Sequence, residues 1–326
     1  MGIIHRLKAQ VRAAKADGKI TLAEEKKLEK TFKATPRGQL RAAAHQVLSR
    51  TLQADQDKFE PRARADLSKL LKVKVNLPDP QAMNGHDVTY GWVQGGKLYE
   101  ADATDDDVVQ GQAGDCYLLS VLNSMGRHHR DLLKSAIQPL GDGTYNVRFF
   151  QPDAQGALQP INVRVDGQVA FRGSEVQYAR SPTQNEIWVS VLEKAYAKWK
   201  GGYEAIGHGG SPGQVMTDLT GRPHAFHWTA QAGDAPDSAY GRLKAALDEG
   251  KMVNVATPEN VDGLPAGLVK NHAYAILGYE EVDGVRQLVV RNPWGNTEPG
   301  TDGRNDGLFR VPADQVAQWF VGAWTA

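Results

Sequence analysis

The hydrophobic pattern of this chain changes its period near residue 88, and one architecture cannot serve both sides of that break. Before it the apolar residues recur at helical spacing. Ile3, Ile4, Leu7, Val11 and Ala14 fall on one helix face, and Asp17-Gly18 interrupts the pattern. Thr21 with Glu24 three residues on is a capping-box signature, opening a helix that carries Leu28 and Phe32. Pro36 and Gly38 stop it. Leu40, Ala44, Val47, Leu48 and Leu52 line a third face, and Ala63, Leu67, Leu70 and Leu71 a fourth. Four short helices of this kind make a small bundle over residues 1–76, followed by a polar, proline-containing linker at 77–87. The run Asp17-Gly18-Lys19-Ile20 with Glu24 has the second half of a calcium-binding helix-loop-helix pattern. The first-half positions fall on Ala13 and Lys15, which offer no carboxylate, so a helix-turn-helix corner is the better reading.

Beyond the break, short alternating segments at 145–150 and 161–165 read as strands, and further strands are expected at 252–257, 272–279 and 287–291. Helices are expected at 117–125, 187–199 and 240–248. A helical part followed by a strand-rich part is α+β. Charge divides at the same place. Residues 1–75 hold 18 Lys and Arg against 8 Asp and Glu, leaving 20 against 30 for the remainder. The net of +10 against −10 makes docking of the first part onto the second plausible. The basic excess alone does not call for a nucleic acid or a membrane, because solvated helix faces account for it. No stretch reaches the ~18 apolar residues that cross a bilayer. No secretory leader is visible at the N-terminus, so the chain is expected in the cytoplasm or exported by another route.

Chemistry concentrates around the single cysteine. In Gln110-Gly111-Gln112-Ala113-Gly114-Asp115-Cys116-Tyr117-Leu118-Leu119 a glycine-rich turn runs into an apolar helix with Cys116 at its first turn. Helix N-termini carry unpaired N–H groups and positive partial charge, which lower a thiol pKa and activate it as a nucleophile. The glycines let a substrate carbonyl approach the backbone. A nucleophilic thiol needs a base, and the base needs an orienter. Among nine histidines, His272 opens the apolar strand Ala273-Tyr274-Ala275-Ile276-Leu277, while His128, His129 and His208 sit in polar helix-end or loop sequence. The next strand ends in Asn292-Pro293-Trp294-Gly295. If the two strands pair as a hairpin, the Asn292 carbonyl can accept an imidazole N–H, and Trp294 can shield that bond from water. Gln110 has two open readings, a surface glutamine or an oxyanion donor beside the Cys116 N–H.

These motifs resemble those of the calpain family of cysteine proteases. Besides the block around Cys116, where Tyr117 stands for a usual Trp, Glu186-Ile187-Trp188 with 192–198 and 202–205 is similar to a second family block. Leu268-Val269-Lys270-Asn271-His272-Ala273-Tyr274 and Arg291-Asn292-Pro293-Trp294-Gly295 resemble a third and a fourth. The resemblance covers about residues 85–326, the papain-like protease core, and the further domains of animal calpains are not expected within this sequence. It implies a helix-rich half at 88–205 and a β-rich half at 206–326. It also implies a Cys116–His272–Asn292 triad, Gln110 in the oxyanion hole, and an extended protein substrate along Gly209 and Gly210. Asn271 stands where the family has glycine, beside the cleft, and Trp294 falls on the tryptophan that wedges between the halves of inactive cores.

Calcium is implied only as an activator, since the chemistry requires no cofactor. Asp107 and Glu186 match acidic ligands of a first site. Glu298 and Asp306 match a second, in which Leu308 replaces one carboxylate. Any calcium dependence is therefore expected to run through the first site or to be absent. The activity expected is peptide-bond hydrolysis through a thioester. The alternatives are another acyl transfer, such as transamidation, and an inactive binding module. The basic N-terminal part is expected to regulate or to recruit.

Overall fold

The computed structural model describes residues 2–183, 185–260, 263–300 and 303–326. The chain divides into two compact units. The first comprises Met1–Pro78 together with Gln138–Asn146 and Arg164–Gly167, and the second holds the rest.

In the first unit α1 (Ile3–Ala14), α2 (Leu22–Ala34), α3 (Gln39–Ala54) and α4 (Pro61–Leu71) surround a core of Leu7, Ile20, Leu28, Leu48, Phe59 and Leu67. Burying each such side chain contributes about 1.5–3 kcal/mol. The capping box forms as the sequence implies: the Thr21 hydroxyl accepts the Glu24 N–H, and the Glu24 carboxylate accepts the Thr21 N–H at 2.9 Å. The Asp17 corner is a turn closed on itself, Asp17 accepting the Lys19 N–H at 3.1 Å. The two helix-turn-helix corners meet through Ile20 and Phe59. There Ile20 N–H donates to the Lys58 carbonyl (2.7 Å) and Glu60 N–H to the Ile20 carbonyl (2.9 Å). Leu40 departs from the pattern reading. In the first turn of α3 it is 46% exposed, and Ala44, Leu48 and Leu52 carry the buried face. Arg64 and Asp142, both buried, form an ion pair that joins α4 to the 138–146 segment.

Along the rest of the chain come β1 (Thr89–Trp92), α5 (Cys116–His128), α6 (Arg130–Ala136), β2 (Ile137–Pro139), β3 (Thr144–Pro152), β4 (Leu158–Asp166), β5 (Gln168–Arg172) and β6 (Glu175–Val176). Then follow α7 (Trp188–Lys200), α8 (Tyr203–Ile206), α9 (Pro212–Thr220), β7 (Ala225–Trp228), α10 (Ser238–Asp248) and β8 (Val253–Ala256). The chain closes with β9 (Ala273–Val282), β10 (Val285–Arg291), β11 (Leu308–Pro312), α11 (Val316–Trp319) and β12 (Gly322–Thr325). The fold is α+β, as the two textures imply.

A six-stranded antiparallel sheet in the order β11-β10-β9-β8-β12-β7 dominates the second unit. Its core is Val253, Val255, Tyr274, Ile276, Leu288 and Phe309, covered by Tyr240 and Leu243 of α10. β9 and β10 form the hairpin implied by the sequence, with Arg291 opposite Ala275. α5, buried along most of its length, packs against β9. That packing brings the start of α5 to the start of β9. Among the described residues no helix is long and apolar enough to cross a membrane.

Candidate active site

Cys116 is the first residue of α5. The turn before it is pinned by backbone on several sides. Gln110 N–H donates to the Pro293 carbonyl (2.8 Å), Gln112 N–H to Gln177 (2.9 Å) and Gly114 N–H to Gly207 (2.9 Å), while Gly209 N–H returns to Gly114 (2.9 Å). A Cβ on Gly114 would lie 2.4 Å from the Gly207 carbonyl oxygen. Glycine at 114 is thus required by the protein's own backbone rather than by an approaching substrate, which corrects the sequence reading for this position. The same contacts tie the cysteine turn to Gly209, whose φ of +86° favours glycine and whose Cβ direction is open space.

The Cys116 sulfur is half-buried. Burial pushes the thiol up, the N–H groups of Ala273, Tyr117 and Cys116 itself pull it down, and the Asp115 carboxyl adds to the rise. The net position is above the ordinary value. The helix-tip donors act in the expected direction, but burial outweighs them, so the free thiol is protonated at neutral pH.

His272 is 5% exposed and sits immediately before β9. Its backbone is held by Thr257, whose hydroxyl accepts the His272 N–H (3.0 Å) and whose N–H donates to the His272 carbonyl (3.0 Å). Asn271 before it has φ of +47°, a left-handed conformation that asparagine and glycine tolerate. This accounts for an asparagine at a position where the resemblance expects glycine.

The His272 ring places Nε2 2.8 Å from Oδ1 of the fully buried Asn292. Asn292 Oδ1 also accepts the Trp294 N–H (3.0 Å), and its Nδ2 donates to the Thr297 carbonyl (2.7 Å). The amide orientation is therefore fixed from both ends. Facing an oxygen that can only accept, Nε2 must carry the ring proton, and Nδ1 is left as the bare base. The Trp294 ring lies 4.9 Å from the imidazole and Tyr274 lies edge-on at 4.8 Å. Burial drives the His272 pKa down to about 4, against a smaller upward pull from the Asn292 bond.

Cys116, His272, Gln110, Gly209, Gly210, Asn271 and Trp294 all line one cleft of about 370 Å3, with Asn292 behind His272. Gln110 is not a free surface side chain. Its Nε2 donates to the Ala113 carbonyl (2.7 Å), which uses one of the two amide hydrogens, and Oε1 is buried without a hydrogen-bond partner among the described residues. Of the other histidines weighed from sequence, His128 lies away from the cleft and His208 lines its rim. His128 ends α5, about 18 Å along the helix from Cys116. His208 is exposed at the rim and bonds Glu204 (2.8 Å).

Next to Cys116 lies a feature that local sequence did not disclose. Asp115 and Glu193, both fully buried, lie against each other, each shifting the other's pKa. Glu193 accepts the Ala179 N–H through both oxygens (3.0 and 3.1 Å) and the Tyr203 hydroxyl (3.1 Å). Neither Asp115 oxygen receives a donor. Two carboxyl groups in such a site must share a proton. The pair keeps that proton toward neutrality: burial raises Asp115 to about 7 and, with the Asp115 charge beside it, raises Glu193 well above the ordinary carboxylate range. A signal was present in Glu193, an acid on the apolar helix α7, but its partner is set by tertiary packing.

Of the acidic residues matched to calcium sites, Asp107 and Glu186 come together. Asp107 accepts the Thr104 N–H (2.7 Å) and the Trp188 indole N–H (3.2 Å). Glu186 accepts the Glu100 N–H (2.9 Å) and the Ser181 hydroxyl (2.9 Å) and lies beside Asp107. Burial, and then the neighbouring Asp107, raise the Glu186 pKa. Glu298 and Asp306 are engaged by backbone N–H groups of their own loop, at Gly307 and Leu308. No cluster of three or more His, Cys, Asp or Glu side chains suited to a metal occurs among the described residues.

Residues 89–302 match the model of the family described as calpain family cysteine protease. Calpain-9 of Rattus norvegicus is 30% identical over 226 residues, which are 65% of this chain and 32% of that protein. Calpain-type cysteine protease DEK1 of Zea mays is 36% identical over 209 residues, 61% of this chain and 9% of that protein. The catalytic subunit of calpain-1 from Bos taurus is 32% identical over 209 residues, 60% of this chain and 28% of that protein. The chain thus spans less than a third of the length of these relatives.

Proposed function

The chain belongs to the calpain family of cysteine proteases, and from that premise we propose that it is an endopeptidase cutting extended polypeptides through a thioester on Cys116. The observation that carries this reading is the His272–Asn292 bond, which leaves an imidazole Nδ1 bare in the cleft that holds the helix-tip thiol.

Thiol and imidazole are both neutral at rest, so proton transfer accompanies attack. A substrate extended along Gly209 and Gly210 presents its carbonyl carbon to the Cys116 sulfur. The S–C bond forms as Nδ1 of His272 takes the thiol proton. The oxyanion is met by the Cys116 N–H and the second amide hydrogen of Gln110. Collapse breaks the C–N bond, and His272 returns the proton to the leaving amine. Water then attacks the thioester, giving its proton to His272. The acid leaves and the thiol is restored. Asn292 stabilises the imidazolium formed twice in this cycle, and Trp294 shields that bond from water.

Calcium, in this reading, modulates the fold of the site and takes no part in the chemistry. Asp107 and Glu186 would hold it, since adjacent carboxylates are relieved by a divalent cation, with carbonyls and water completing the six to eight oxygens required. Glu298 and Asp306, already engaged by backbone donors, are not assigned a second ion. Equal activity in excess chelator and in calcium would remove the ion from this reading. The basic surface of the first unit is assigned a regulatory or recruiting role. Reversing exposed charges there, at Lys27 and Lys30, with no change in peptidase rate would contradict it.

The test of the reaction class is incubation with an unfolded protein and an added primary amine. Hydrolysis predicts new amino termini without amine incorporation. Incorporation exceeding hydrolysis would point to transamidation instead.

A further inference from the structure

At the end of the six-stranded sheet, β7 pairs with β12 alone, and all four of its residues are exposed. Two of the four are large aromatics: Phe226 is 42% exposed and Trp228 59%. Two residues apart on a strand, they share a face, and their rings meet edge to face at 5.0 Å. Across the register Phe226 stands opposite Trp324 of β12, with ring centroids 5.2 Å apart. Trp324 is itself part of the catalytic cleft wall, beside Ala256 and Val269. The residue opposite Trp228 is Gly322, where a Cβ would come within 2.6 Å of the Phe226 ring. The small residue lets Phe226 lie on the β12 backbone, so the strip is packed from below while its outer surface is bare.

We propose that Trp324, Phe226 and Trp228 form a docking strip for the part of an unfolded polypeptide substrate that continues beyond the cleft. The proposal rests on the peptidase reading above. Three features favour this occupant over another. The strip is continuous with the cleft through Trp324, so a chain lying in the cleft meets it without a change of surface. An open strand edge carrying aromatics offers backbone pairing and apolar contact together, which suits an extended segment of any sequence rich in apolar residues. Its size is also limiting. Each aromatic side chain buries about 150–250 Å2, whereas a stable protein–protein interface buries about 1,200–2,000 Å2 in total. Three rings are too few to hold a second folded copy, but they suffice as a second foothold for a chain already anchored at the cleft. Exposed hydrophobic edge strands are otherwise an aggregation hazard, and β7 carries no proline or Lys to blunt it.

The experiment compares the full chain with Phe226→Ala/Trp228→Ala, both positions being exposed and Trp324 left in place. Two substrates are used: a reduced, carboxymethylated protein, and a peptide of about six residues, whose ~20 Å extended length fills the cleft alone. The strip predicts a loss of about tenfold in kcat/KM on the protein, carried by KM, with less than twofold change on the peptide. Trp228→Phe should keep most of the protein activity. Equal losses on both substrates, or none on either, overturn the proposal. So does a dimer that the double substitution dissolves in sedimentation, since the strip would then be covered by a second copy. Binding of the same labelled unfolded protein to Cys116→Ala, with and without the aromatic pair, reads the strip without turnover. If wild type cleaves neither substrate the peptidase reading falls, and unchanged binding in this arm falls to the account of the strip alone.

Discussion

Replacing Asn292 by alanine isolates the orienting bond of the site. The fully buried side chain makes three hydrogen bonds: from His272 Nε2–H (2.8 Å), from Trp294 N–H (3.0 Å) and to the Thr297 carbonyl (2.7 Å). In the resting state the His272 bond is neutral, worth about 0.5–1.5 kcal/mol, whereas to an imidazolium it is worth about 1.5–3 kcal/mol. The difference, about 1–1.5 kcal/mol, is felt only when His272 carries the thiol proton, and it lowers kcat about tenfold. Loss of the enforced tautomer adds to this, because without Oδ1 the ring proton is free to sit on Nδ1, where it blocks the base. The combined loss in kcat/KM is about 10- to 100-fold. The direction of the pH effect is also fixed. His272 is held near 4 by burial and drawn upward by Asn292, so the acid limb of kcat/KM lies near pH 4 in wild type and moves no higher in Asn292→Ala. Asn292→Asp should do the reverse, raising that limb toward neutrality through a buried anion beside the ring. Rates on a short fluorogenic peptide from pH 3 to 9 provide the assay. Activity of Asn292→Ala within twofold of wild type, or an upward shift of its acid limb, would refute the assigned role.

Two further substitutions bear on the same cleft. Asp115→Asn replaces the shared proton by an amide N–H donor to Glu193. Wild-type Asp115 has a folded pKa near 7, above its unfolded value, so its contribution to stability is present below about pH 4 and is lost as pH rises through 7. The variant should therefore gain on wild type by about 1.4 kcal/mol per pH unit over that window, read by denaturant melts at pH 5 and pH 8. A pH-independent difference would place the proton elsewhere. Gln110→Ala removes the proposed oxyanion donor and the tie to Ala113, and should cost about 100-fold in kcat with little change in KM on a short peptide. A loss confined to KM would return Gln110 to a merely structural role.

What could be read from the sequence was what is encoded locally. The capping box at Thr21 and Glu24, the start of α5 at Cys116 and the β9–β10 hairpin each follow from a few neighbouring residues, and each is present. The approach of Asn292 to His272 was legible because a hairpin converts sequence spacing into proximity. Properties set by distant packing were not legible. The thiol was expected to be lowered by its helix tip, but burial at the start of β9 outweighs the helix N–H groups. Gly114 was read as space for a substrate, but the space is taken by Gly207. The Asp115–Glu193 pair and the aromatic edge at Phe226 and Trp228 join residues far apart in sequence, and periodicity carries no information about such meetings. Leu40 fits a helical stripe on spacing, yet it lies in the first turn of α3 and is largely exposed.

The central claim is that peptide-bond cleavage passes through the single thiol of this chain, Cys116. Its most direct measurement is the rate of peptide release from an unfolded protein by wild type and by Cys116→Ala, alongside mass-spectrometric detection of a covalent adduct with an electrophilic substrate analogue. Wild type should cleave and accept one adduct on Cys116, while the variant loses at least about 1,000-fold in rate and forms none. Cleavage that persists in Cys116→Ala at a comparable rate would contradict it.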